Sequence, residues 1–286
     1  MNNNVRIGVE FEFTVPNISD VDRKSMSKWT EISTAYFEFD QYEDLYGRYI
    51  DGELEHPPEI PMYAKNLGYD VDDDIPDPDE VMRKPKNEFL SLVSKYLNID
   101  HTWPFFNPII TADPDFKWSD RWIVKPDYSI GDCGFEVVSP LMNMDQFNTI
   151  MPQMFYCINQ FGATTDDCGI HFSISFSDVD DLEHVLDINK LAINVDEDLI
   201  YQLFPNRKDN GYAISIRKDM EDNLNRGMKA FTAGHFMAVN LEHLGTDNEY
   251  VEFRYIGGKD YHKRWKEISY LVDMFIKALK ESCNES

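Results

Sequence analysis

Two glutamates, two residues apart, interrupt an otherwise apolar stretch near the start of the chain. In VRIGVEFEFTV, residues 5–15, Glu10 and Glu12 stand among Val5, Ile7, Val9, Phe11 and Phe13. Further acids occupy similar settings: Asp127 in RWIVKPDYS, Glu136 in GFEVVSPLM and Glu252 in YVEFRYIGG. His171 lies in GIHFSISF, and Arg254 follows Glu252 by two positions. A surplus of carboxylates in apolar surroundings is costly unless a metal or an arginine neutralises it. Hard oxygen ligands suit Mg²⁺, which is held between carboxylates and substrate phosphates. A guanidinium suits the phosphates themselves.

Taken singly, each feature has a plainer explanation. Strand glutamates are usually solvated, Glu252 and Arg254 could pair with each other, and a lone His171 is more often a satisfied core histidine than a ligand. The weight lies in their combination and in the elements that carry them. Residues 5–15 alternate apolar and polar, which is strand period and puts Glu10 and Glu12 on one face. RWIVKPDYS and GFEVVSPLM read as two strands joined by a turn around Gly131–Gly134, and Pro140 closes the second. GIHFSISF, residues 169–176, is another strand, while FMAVNLEHL and YVEFRYIGG pair across a turn at Gly245–Asn248.

Helices are expected at 86–98, at 144–161, once or twice within Asp180–Leu203, and over the amphipathic segment 261–281. Pro104 to Asp120 reads as a loop, and the acidic, Tyr-rich residues 40–85 as a surface insertion. Strands with interleaved helices but no regular βαβ spacing predict an α+β fold with a mostly antiparallel sheet. Nothing forces a second domain, so one domain over residues 1–286 is expected.

Bulk composition narrows the function. The chain has 286 residues, 42% of them hydrophobic, with 52 acids against 27 bases and a net charge of −25. That charge disfavours nucleic acid and anionic membranes as partners. No apolar run approaches a membrane span, and the first residues lack a secretory pattern, so a cytoplasmic protein is expected. Cys133, Cys157, Cys168 and Cys283 lack CxxC spacing, which argues against a zinc ribbon. There is no GxxxxGK[ST] phosphate loop.

Read in order, GVEFEF, PDYS…GFEVVSPL, CGIHFSIS and AVNL…YVEFRYIGG resemble the motif series of the amidoligase family. That family groups with carboxylate–amine ligases related to glutamine synthetase and glutamate–cysteine ligase. The resemblance covers residues 5–15, 122–142, 167–176 and 229–258 and leaves out the acidic insertion. It implies a curved antiparallel sheet of glutamine synthetase type, ATP at one end, and Mg²⁺ (or Mn²⁺) among the acids. Carried over by position, Glu10, Glu12, Asp127, Glu136, His171 and Glu252 would be metal ligands, and Arg254 would face the transferred phosphate. LFPNRKDNGYA is similar to the family stretch that supplies a further arginine and a tyrosine, here Arg207 and Tyr212.

Two positions depart from the family pattern. Ser173 stands where a second histidine is frequent, and Gly258 where a threonine is. The implied reaction activates a carboxylate as an acyl phosphate, which an amine then attacks. The implied substrates are a small-molecule or peptide carboxylate and an amine; a protein or cell-wall peptide also fits. A metal-dependent hydrolase and a noncatalytic binding protein stay open as alternatives, and the residues leave the oligomeric state open.

Overall fold

The computed structural model describes residues 4–25, 45–54, 56, 87, 90–97, 103, 108–111, 120–131, 133–208, 210–225, 234 and 236–284. Their centre is a seven-stranded sheet. In chain order the strands are β1 (Val5–Thr14), β2 (Ile109–Ile110), β3 (Ile123–Pro126), β4 (Gly134–Val138), β5 (Gly169–Phe176), β6 (Val239–Asn240) and β7 (Val251–Gly257). Their order across the sheet is β2-β3-β4-β1-β5-β7-β6. Every pairing is antiparallel except β2 with β3. The fold is therefore α+β, as the patterning predicts.

Alternation along β1 splits the sheet into two faces. Ile7, Val9, Phe11 and Phe13 are fully buried on one of them. The long helices Met144–Phe161 and Trp265–Ser282 cover that face. Phe155 meets Phe11 edge-on at 6.0 Å, Phe147 meets Phe172 at 6.2 Å, and Phe275 stacks on Phe253 at 4.5 Å. The first long helix starts at a reciprocal cap, in which Asn143 accepts from the Gln146 backbone and Gln146 reaches back to the Asn143 backbone. Among the described residues no helix is long and apolar enough to cross a membrane.

The elements differ from the expectation in several places. Asp180–Leu203 holds three short helices, Leu182–Val185, Ile188–Asn194 and Glu197–Leu203, each capped by an aspartate side chain. Those caps, Asp181, Asp187 and Asp196, break what the apolar spacing suggests is longer. FMAVNLEHL contributes only the two-residue edge strand β6. β2 lies inside the segment read as a loop. RWIVKPDYS leaves the sheet at Pro126 and turns into a 3₁₀ helix, Tyr128–Ile130. The last segment begins with a 3₁₀ turn, Tyr261–Lys263, before its α-helix. A helix Ile216–Asn225 was not anticipated. Residues 90–97 are helical as expected; residues 45–50, inside the stretch read as a surface insertion, are helical as well. Of the rest of 40–85, only residues 51–54 and 56 are among the described residues.

The β3–β4 connection is unusually tight. A Cβ on Gly134 would lie 2.1 Å from the Asp127 carbonyl oxygen and 2.4 Å from Ile130 Cγ1. Gly134→Ala should lower unfolding free energy by at least about 1–3 kcal/mol through overpacking, measured by urea denaturation. A variant as stable as the parent would show that this turn relaxes freely.

Candidate active site

Strand register gathers the polar face from residues far apart in sequence. Glu10 faces His171 across β1–β5, and Glu12 faces Glu136 across β1–β4. Lys125 on β3 faces Glu136, Ser173 on β5 faces Glu252, and Asn240 on β6 faces Glu252 from the other side. The β5–β7 pairing shifts between Ile170 and Phe172, which face Ile256 and Phe253 respectively. One extra residue on β7 thus sits opposite His171, in the manner of a bulge that re-aims side chains. Phe253 and Tyr255 pack with Phe275, and Arg254 between them points to the opposite face with Glu252.

His171 is the hub. Its Nδ1 lies 3.1 Å from Glu10 Oε2 and 3.4 Å from Glu252 Oε1, and its Nε2 lies 3.3 Å from Glu12 Oε1. Glu10, His171 and Glu252 each present a ligating atom within 4.8 Å of the others, room for one metal ion. Glu252 is further held by Arg254 at 2.8 Å and by the Asn240 amide at 2.8 Å. Glu12 accepts the Gly169 backbone N–H. A side chain at Gly169 would crowd that arrangement, its Cβ falling 2.9 Å from His171 Nε2 and 3.1 Å from Glu12 Oε2. From below, the buried Tyr261 hydroxyl donates to the Glu12 carbonyl oxygen at 2.8 Å.

The predicted residues are brought together to different degrees. Glu10, Glu12, Glu136, His171, Glu252 and Arg254 share the face. Asp127 lies at its margin: one carboxylate oxygen accepts from the Ser129 N–H and hydroxyl, while its charge still acts on Glu12 and Glu136. Arg207 is buried and donates to the Arg254 carbonyl at 3.0 Å. The Nε atoms of Arg207 and Arg254 are buried without a hydrogen-bond partner among the described residues. Tyr212 stands apart: it is 55% exposed, with its ring 6.0 Å from Phe236.

Sequence reasoning missed Lys125, Asn240 and Gly169. The signal was available for the first two, because each sits at a polar-face position of its strand, but pairing register was needed to see it.

Burial dominates the electrostatics. It raises Glu10 to about 7, with the Glu252 charge adding to the effect. Glu12 goes to about 8, through burial and then Asp127 and Glu136. Glu136 goes to about 8, through burial and then Glu10. Glu252 is also pushed up by burial, yet the charges of His171 and Arg254 more than offset this and hold it below the usual range.

A carboxyl with a raised folded-state pKa contributes stability that is complete below its ordinary value near 4.5 and is lost as pH rises through the folded value. For Glu12 that window runs from about 4.5 to about 8. Removing its charge should therefore matter more as pH rises. In metal-free buffer Glu12→Gln should melt near the parent at pH ~5 and on the order of 5 °C above it at pH ~9. A difference that does not vary with pH would refute the desolvation account of this carboxylate.

The arrangement can neutralise and orient a polyanion. It has carboxylates and an imidazole for a divalent ion, and buried guanidinium groups beside them. A search of the curated proteins finds no match for this chain. The model of a family described as "Putative amidoligase enzyme" matches residues 3–271. The chain belongs to that family of amide-bond-forming ligases.

Proposed function

We propose that this protein is an ATP- and Mg²⁺-dependent ligase that joins a carboxylate to an amine through an acyl phosphate. The observation that carries this reading is the convergence of Glu10, His171 and Glu252 within 4.8 Å, beside an arginine bound to one of them. Burial raises three of the face's carboxylates to about 7 or 8, a cost that a bound cation would offset. The oxygen-rich donor set with one imidazole fits Mg²⁺ or Mn²⁺.

A divalent ion held there would neutralise charge on nucleotide phosphates and on the phosphoryl group in transfer. The chain's own groups do the rest. Glu10, Glu252 and His171 would hold the ion. Arg254 and Arg207, with buried Nε atoms available, orient the transferred phosphate and stabilise the charge that develops on it. The substrate carboxylate attacks the terminal phosphorus of ATP, ADP leaves, and the acyl phosphate forms. The amine then attacks the acyl carbon, the C–O bond to phosphate breaks, and inorganic phosphate leaves with the electron pair and takes up the amine's proton. Burial of the face keeps water from the intermediate.

The same reading takes the sheet as glutamine synthetase-like. It assigns Tyr212 to the nucleotide's surroundings, and Glu12, Asp127 and Glu136 to the remaining cation-facing positions. The substrates are small-molecule or peptide carboxylates and amines, and four free cysteines suit a reducing cytoplasm.

ADP release with Mg²⁺, assayed against pools of carboxylates and amines, tests the reading. Release that depends on both substrates is expected; hydrolysis of an amide without ATP would replace the ligase by a hydrolase. Arg254→Lys keeps the charge and loses the planar fork. Turnover should fall about a hundredfold while nucleotide affinity changes little. Normal values of both would reduce Arg254 to a structural partner of Glu252.

A further inference from the structure

The acids of the polar face divide into two groups, and only one of them is arranged for a metal. Glu10 and Glu252 converge with His171. Among the described residues no second trio of ligating side chains converges. Glu136 instead forms an ion pair with Lys125, whose Nζ lies 3.3 Å from its Oε1 without hydrogen-bond geometry, the two side chains being 13% and 15% exposed. The pair is built by register, since Lys125 and Glu136 face each other across β3–β4.

We infer that Lys125 is a built-in cation for the Glu136 side of the face, so that the face takes one divalent ion, at Glu10, His171 and Glu252, and not two. A divalent ion on the same Glu136 oxygen would stand against a buried ammonium in a low-dielectric setting. The inference rests on the proposed function only in taking this face as a metal site.

The test is a Mn²⁺ titration of the full chain without nucleotide, with free Mn²⁺ read by its paramagnetic resonance signal. The parent and Lys125→Arg should bind one ion. Lys125→Met, which keeps the length and removes the charge, should bind a second. Glu136→Gln should still bind one ion within about threefold of parental affinity, and Glu252→Gln should lose at least about tenfold. Two ions on the parent, none on the parent, or equal loss in Glu136→Gln and Glu252→Gln would each overturn the inference. So would a folded Lys125→Met that binds only one ion. If Lys125→Met does not fold, the comparison of the two glutamate variants decides. ADP formation separates this from the ligase reading: a one-ion protein that forms no ADP keeps the inference and removes the ligase, and an active two-ion enzyme does the reverse.

Discussion

Burying like charges side by side is the constraint on which the rest of this structure depends. Four glutamates and a histidine share one face of the sheet, and Glu12, Glu252 and His171 are each at most 8% exposed. Carboxylates so placed can be neutralised by protons, by protein cations or by metal. All three answers have a place here. Glu10, Glu12 and Glu136 are pushed toward protonation, Lys125 and Arg254 supply fixed positive charge, and the Glu10–His171–Glu252 trio leaves room for an ion. The hydrophobic side of the sheet must then supply the stability that the polar side lacks. The aromatic contacts of Phe147, Phe155 and Phe275 against β1, β5 and β7 are the means.

Much of this was legible in sequence because strand alternation is a hard rule. The spacing of Glu10 with Glu12, and of Glu252 with Arg254, puts each pair on one face whatever the partner strand. His171 belongs to the same face only once β5 is registered against β1, and no short motif states that register. Lys125 shows the limit most clearly. Within RWIVKPDYS it looks like a solvated lysine, and only its position opposite Glu136 makes it part of the site. The β5–β7 shift was equally hidden, since it arises from how two distant strands meet.

Local chemistry explains the remaining differences. Asp181, Asp187 and Asp196 each accept a backbone N–H at a helix start and so cut Asp180–Leu203 into three pieces, although the apolar spacing alone reads as continuous. Asp127 illustrates a residue with two claims on it. It was expected among the ligands, yet Ser129 occupies one of its oxygens and ties it to the turn after β3. Its charge still acts on Glu12 and Glu136.

Polar-face side chains on strands are held by the sheet itself, whereas Arg207 lies on a short 3₁₀ turn, Pro205–Arg207, and needs other support. Two ties provide it. The guanidinium donates to the Arg254 carbonyl, so it is fixed to the strand that carries the other arginine. Behind it, the buried Glu197 carboxylate accepts from the Ser215 hydroxyl at 2.6 Å, the Ile216 N–H at 3.0 Å and the Tyr255 hydroxyl at 2.8 Å. Tyr255 is the neighbour of Arg254, so the same β7 segment anchors both ends of the stretch between Glu197 and Ile216. Holding two guanidinium groups this close opposes their charges, and the Arg254 charge adds to burial in lowering Arg207. The charge of Glu12 acts in the opposite direction on Arg207. The carboxylates that are costly to bury thus also make it possible to fix two arginines beside them, and each set of charges is tolerable only because the other is there.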